Sequence, residues 1–398
     1  MEQTYFRRGF GLKGDIEGAL AVDYHSRVVD RIRAQGYVLA VGDLTFKLAR
    51  EFGFCYGVDR AVEYAYETRT KFPERRVFLV GEIIHNPHVN QKLQAMGVEF
   101  LPRPNDGEFD FRGVTPADVV ILPAFGVTVK DFERLRAVGC VLVDTTCGSV
   151  LNVWKRVDSY AKDGFTAVIH GKYYHEETKA TSSQVTKYPG GHYLVVRDMA
   201  EAREVCSYVE AAGSRERFLG LFTGKLSPGF DPDRDLTRVG VANQTTMLSG
   251  ESLAIAAEIR QSMAKRYGET ALPEHFRTFD TICSATQDRQ DAVLKLIADP
   301  LDLMVVIGGY NSSNTTHLAA ICHDKTPTYH IEDASCIDPQ AGTIRFRPVG
   351  AKEERLVTEW LASGPLTVGV TAGASTPNNK IGETVERIAA SRGVSLLR

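Results

Sequence analysis

The sequence predicts an α/β protein made of three pseudo-threefold-related α/β units with mainly parallel sheets. Three observations predict it: a string of cysteine, helix, strand and polar loop that recurs three times, strands that alternate with amphipathic helices, and a globular composition. Of 398 residues, 43% are hydrophobic and 24% charged, enough for a sizeable core. Lys+Arg at 47 against Asp+Glu at 50 leaves a net charge of −3, so nothing global points to nucleic acid. No apolar run reaches the roughly 18 residues of a membrane span. The opening MEQTYFRRGF also lacks the apolar stretch of a secretory signal. A cytoplasmic chain is expected. Seven cysteines, none in a CxxC pair, do not make a disulfide framework.

Taken in order, residues 1–45 are expected to form an N-terminal extension, followed by units at 46–146, 147–281 and 282–398, the last with a C-terminal tail. EFGFC, VDTTC and FDTIC end at Cys55, Cys147 and Cys283. Behind each cysteine lies a helical pattern: Val58, Ala61, Val62 and Ala65; Val150, Val153, Trp154 and Val157; Ala292, Val293, Leu296 and Ile297. Each helix leads to a strand-like run closing on a glycine: VFLVG, TAVIHG and LMVVIG. The cysteine-to-glycine steps are 26, 24 and 25 residues, for Gly81, Gly171 and Gly308. Four residues beyond each glycine stand His85, His175 and Ser312. A second strand follows in each unit, within DVVILPAFGVT, TRVGVANQTTM and LTVGVTAGAST. Residues 223–238 read as an inserted Pro/Gly/Asp loop and 341–359 as a charged link. Strand–helix alternation favours parallel sheets with right-handed crossovers, whose ligands bind beyond the strands' carboxyl ends.

Pseudo-threefold packing would bring the three cysteines to one centre. A thiolate triad suits zinc or an iron–sulfur cluster. Ligands lying 92 and 136 residues apart fit a zinc finger poorly. A [4Fe–4S] cluster held by three thiolates would keep one iron open to substrate. Cys140, Cys206 and Cys322 read as small buried hydrophobes, and Cys336 as an inert loop residue. His85, His175, Ser312, Ser313, Asn314 and Ser375 are donors of the kind that surround a phosphate at strand ends, with few Lys or Arg among them. His88, His170 and His317 read as structural. Glu177, near His175, is a candidate proton donor, and Glu176 competes with it. Thr245 could extend the relay, although Thr245 and Thr246 could equally cap a helix. Gly9–Gly14 matches GxGxxG but has no core strand before it. Asp231–Asp235 lacks the Gly and Glu of a calcium loop.

Together GFCYGVDRAVE, GEIIHN, DTTC, HEET, NQTT, DTICSATQDRQ, NSSN and VTAGAST resemble the 4-hydroxy-3-methylbut-2-enyl diphosphate reductase family. The resemblance covers about Phe52 to Thr376. The start Tyr5-Phe6-Arg7-Arg8-Gly9 resembles the form found in oxygenic phototrophs. It implies three domains around a central [4Fe–4S] cluster, one per subunit, with Cys55, Cys147 and Cys283 on the cluster-ligand positions. His85, His175, Thr245, Ser312, Ser313, Asn314 and Ser375 fall on the substrate-contacting positions and Glu177 on the proton donor. The implied reaction removes an allylic hydroxyl as water, with ferredoxin or a similar one-electron donor as partner, and leaves room for a homodimer. In the family's Ala-His-Gly loop this chain has Phe125, which cannot donate to a diphosphate and would instead shape an apolar wall. Two other readings compete. A quinolinate synthase-like cluster enzyme would need carboxylate clamps, and a non-catalytic metal-binding scaffold would be colourless.

Overall fold

Runs such as Val77–Val80, Val119–Leu122 and Leu303–Ile307 are apolar along their length and buried at every position. Strands of that kind are covered on both faces, which is the setting of a parallel sheet between helices. The computed structural model, which describes residues 4–104, 107–211 and 213–396, bears this out. It is a mixed α/β fold with mainly parallel sheets, divided into two compact units.

The first unit holds the residues up to Arg8, Arg75–Gly81 and Glu99–Cys283. One of its sheets runs, in spatial order, Tyr5–Phe6, Val141–Asp144, Val119–Leu122, Val77–Val80, Val98–Leu101. The other runs Phe276–Thr278, Val239–Asn243, Thr166–His170, Tyr193–Val196. In the first of these sheets the strands from Tyr5–Phe6 through to Val77–Val80 pair in parallel, as do all neighbours in the second. Phe218, Phe222, Ile255 and Met263 pack one face of the second sheet, and Val153, Val157 and Tyr160 pack the other.

The second unit holds Gly9–Glu74, Glu82–Val98 and the chain from Ser284 onward. Its main sheet runs Thr328–Ile331, Leu303–Ile307, Leu366–Ala372, Leu44–Leu48, Val38–Val41. Only the last pair is antiparallel. Phe46, Val305, Val368, Ile381 and Ile388 form its core. Residues 341–359, expected as a charged link, instead supply Thr343–Phe346 and Arg355–Thr358, two strands of a small antiparallel sheet. Both strands carry charge on an exposed face, and that disguised them.

The Gly9–Gly14 string has an internal job. The backbone N–H groups of Phe10 and Leu12 donate to the Glu67 carboxylate, the latter at 3.0 Å, and Glu67 is buried. A Cβ on Gly9 would strike that carboxylate. The loop therefore cradles a side chain of its own chain, as peptide N–H groups cradle any anion. Asp231 caps the short helix Pro232–Asp235 by accepting from Asp233 N.

Candidate functional site

All seven cysteines are thiols rather than disulfides. Cys140, Cys206, Cys322 and Cys336 are buried, whereas Cys55, Cys147 and Cys283 are partly accessible. Burial pushes the Cys140 thiol up to about 11 and Cys322 to about 12, which keeps both inert. Each accessible cysteine opens a helix: Cys55 and Cys147 are the N-caps of Tyr56–Lys71 and Gly148–Lys162, and Cys283 directly precedes Ser284–Leu296. Their backbones are fixed in one way. Cys55 N donates to Ala374 O at 3.2 Å, Cys147 N to Ala124 O at 3.0 Å and Cys283 N to Thr245 O at 3.3 Å. In all three cases the acceptor lies just beyond the second strand of a repeat, so one local structure is made three times.

In the first unit, Glu177 is 2% exposed. Its Oε1 accepts from Thr245 N at 2.6 Å, and its Oε2 lies 3.0 Å from Thr245 Oγ1. The N-cap position of the following helix, Ser249–Tyr267, is Leu248 rather than either threonine. Glu176 turns to the half-exposed Arg103, at 3.3 Å. His175 caps the helix Glu176–Ser182, its Nδ1 accepting from Glu177 N at 3.2 Å. A neutral imidazole that accepts at Nδ1 carries its proton on Nε2, so His175 is set as an Nε2 donor. The Phe125 ring stands edge-on to the His175 ring with centroids 5.8 Å apart. It is thus a wall that steadies the histidine.

In the second unit, Leu303–Ile307 and Leu366–Ala372 are adjacent parallel strands, and the loops beyond them carry the polar set. Ser312 caps the helix Ser313–His323 through Thr315 N. Ser313 and Asn314 are each 2% exposed. Asn314 Oδ1 accepts from Ala374 N at 2.9 Å, while its buried Nδ2 has no hydrogen-bond partner among the described residues. A buried amide donor left so is costly unless a ligand takes it up. Ser375 Oγ donates to His85 O at 3.2 Å, and His85 Nδ1 pairs with Glu82 at 2.8 Å. Close packing keeps these loops tight: a Cβ on Gly373 would collide with Thr315 Oγ1. His88 and His170, read as structural, are held by Asp23 O and Ser252 Oγ, respectively.

Two supporting residues were missed. Arg289, 4% exposed, donates to Gly53 O at 2.7 Å and Phe54 O at 3.2 Å, and so pins the backbone that enters Cys55. It stands four residues before Val293, on the face read as apolar, and a cation there was the available signal. Gln244, 1% exposed, accepts from Lys172 N and Thr178 Oγ1 and ties down the loop that carries His175. Its amide looked like any polar residue at a strand end.

Fold and site define an α/β enzyme with accessible cysteines and hydrogen-bond donors at the carboxyl ends of parallel strands. The model of the family described as LytB protein matches residues 46–389, and the chain belongs to that family. A 4-hydroxy-3-methylbut-2-enyl diphosphate reductase of Thermosynechococcus vestitus is 50% identical, covering 99% of this chain and 96% of its own. That of Gloeobacter violaceus is 49% identical, covering 98% and 94%. A solved structure of (E)-4-hydroxy-3-methyl-but-2-enyl diphosphate reductase, the terminal enzyme of the non-mevalonate pathway, is similar at 28% identity and TM-score 0.53, covering 86% of this chain and 98% of that one. A Plasmodium falciparum reductase structure shares the fold at 22% identity and TM-score 0.62, covering 86% and 87%.

Proposed function

We propose that the chain reduces (E)-4-hydroxy-3-methylbut-2-enyl diphosphate to isopentenyl diphosphate and dimethylallyl diphosphate, the last step of the methylerythritol phosphate route. It does so with one [4Fe–4S] cluster per subunit, held by Cys55, Cys147 and Cys283. The observation that carries this reading is the thrice-made cysteine setting, in which an accessible thiol opens a helix and is anchored to the loop of a neighbouring strand. Soft, accessible thiols without disulfide partners suit such a cluster. When bound, the cluster supplies electrons one at a time and an iron that lacks a protein thiolate.

The remaining roles belong to side chains. Asn314 Nδ2, the hydroxyls of Ser312 and Ser313, that of Ser375 once it turns from His85 O, and the Nε2 of His175 donate to the diphosphate, with His85 in contact beside them, so that it is held by directed hydrogen bonds rather than by bulk charge. Glu177, shielded from solvent, delivers a proton through the Thr245 hydroxyl 3.0 Å away. Two electrons and two protons enter, the carbon–oxygen bond breaks and the hydroxyl leaves as water. A ferredoxin-like carrier supplies the electrons. No helix among the described residues is long and apolar enough to cross a membrane, which agrees with a cytoplasmic location.

Anaerobic purification followed by turnover of the hydroxylated C5 diphosphate with a one-electron donor tests the reading. A brown protein with about four irons per chain and formation of both products is expected. A colourless zinc protein without turnover would sink it.

A further inference from the structure

We propose that each of the three accessible cysteines is set by a side-chain latch acting on the residue two places before it. The positioning residues are Thr145 for Cys147, Thr281 for Cys283 and, brought in from a distant part of the chain, Arg289 for Cys55. The inference rests on the cluster reading above and adds what holds its thiols in place. Each cysteine and the residue two places ahead of it hang on the end of a second strand in one register. Cys147 N donates to Ala124 O and Thr145 N to Leu122 O; Cys55 N donates to Ala374 O and Gly53 N to Ala372 O. Cys283 N donates to Thr245 O, and Asn243, two residues before that acceptor, bonds Thr281.

In two of the three copies a hydroxyl then fixes the segment. Thr145 is buried, and its Oγ1 donates to Leu122 O at 2.7 Å, beside the 3.2 Å bond from its own N–H. Thr281 Oγ1 accepts from Asn243 N at 2.8 Å and donates to Asn243 O at 3.3 Å. One hydroxyl thereby takes the place of a pair of ladder bonds. The third copy has no room for this device. Gly53 has a φ of +74°, which a β-branched residue enters only under strain. A Cβ there would also stand 3.1 Å from Asn378 Oδ1 and 3.3 Å from Thr376 O, so threonine is excluded. The bond from Gly53 N to Ala372 O is long, at 3.4 Å. Arg289, in the helix Ser284–Leu296, makes up the loss. Its Nη2 lies 2.7 Å from Gly53 O and 3.2 Å from Phe54 O, and its Nε lies 3.3 Å from Gly53 O. Nη1 donates to Ala285 O at 2.9 Å, one turn back along the same helix, which steadies the guanidinium itself. A planar fork of donors can hold two successive carbonyls at once. Bonds from a charged donor are also stronger than those of a hydroxyl, so the Cys55 segment loses most when its latch is cut.

The test uses the full iron-loaded chain and its Thr145→Val, Thr281→Val, Arg289→Met and Arg289→Lys variants under anaerobic conditions. Each is challenged with an iron chelator in the presence of iodoacetamide, and mass spectrometry follows the labelling of each thiol with time. In the wild type the three thiols should label together. Cutting one latch should advance one thiol: Cys147 in Thr145→Val, Cys283 in Thr281→Val and Cys55 in Arg289→Met. Amide hydrogen exchange should rise at the matching cysteine alone, by about fivefold for a lost hydroxyl and about tenfold or more for the lost guanidinium. Arg289→Lys, which keeps the charge and part of the donor set, should fall between wild type and Arg289→Met. Thiols that still label together in every variant overturn the proposal. So does exchange that rises equally at all three cysteines, which would make these residues general props of the fold. Should Arg289→Met fail to fold, Arg289→Lys and the two threonine variants decide, and labelling in step with wild type refutes the latches. A wild-type chain that takes up no iron rejects the cluster reading, and the exchange pattern alone then decides the latches.

Discussion

Glu176 and Glu177 are adjacent yet meet different surroundings: one faces a half-exposed arginine, the other is enclosed against Thr245. Glu177→Gln keeps the shape and removes the transferable proton. We expect it to retain cluster and substrate affinity while kcat falls by ~10²-fold or more. Glu176→Gln should stay within about twofold of wild type, because its ion pair is partly solvated. Steady-state kinetics under anaerobic conditions separate the two, and the reverse ranking would transfer the proton donor to Glu176. Asn314→Asp sets a carboxylate where Nδ2 now points. It should raise KM for the diphosphate at least tenfold, and an unchanged KM would remove Asn314 from the anion site.

Among the elements, the strands, their glycine stops and the cysteine-led helices were legible, because apolar runs and 3.6-residue periodicity are local signals. Within the candidate site, His85, His175 and Ser312 stand four residues past the glycines that close strands, and that spacing is a local signal too. Sheet partners were not legible. Leu44–Leu48 lies beside Leu366–Ala372, and no local pattern in either strand names the other. Gln244 escaped notice because the backbone amide it holds leaves no pattern of its own in the sequence. Arg289, although a cation on an apolar helix face, has nothing near it in the chain that names the Gly53 and Phe54 carbonyls as its partners. The tight loop at Gly373 gives an element-scale prediction. Gly373→Ala should cost about 1–3 kcal/mol by overpacking against Thr315, read as a lower urea midpoint with an unchanged slope.

Across the whole molecule, stability should depend on pH through two buried histidines. Burial holds His170 and His330 down at about 4, against an ordinary 6.5. Between those values the unfolded chain binds protons that the folded chain refuses. Stability therefore falls as pH drops from 6.5 towards 4, by ~1.4 kcal/mol per pH unit per histidine, and this contribution levels off below that. Urea unfolding at pH 7 and pH 5 measures it, and equal stabilities would contradict it. The proposal that Cys55, Cys147 and Cys283 share one cluster is tested by alkylation and mass spectrometry. All three should be protected together in the loaded enzyme and become reactive together once iron is stripped. A thiol that labels freely in the loaded enzyme is not a ligand.

The parallel pairing of Leu44–Leu48 with Leu366–Ala372 also bears on the order of assembly on the ribosome. The sheets of the first unit draw almost wholly on residues between 75 and 283 and can close while translation continues. The early strand before Cys55 must wait for a mate synthesised near the end, and such distant pairing is slow to form. Until then Cys55 lacks its Ala374 anchor. If Cys55 is a cluster ligand, as proposed, iron loading is a late event, reserved for chains whose synthesis has run almost to the end.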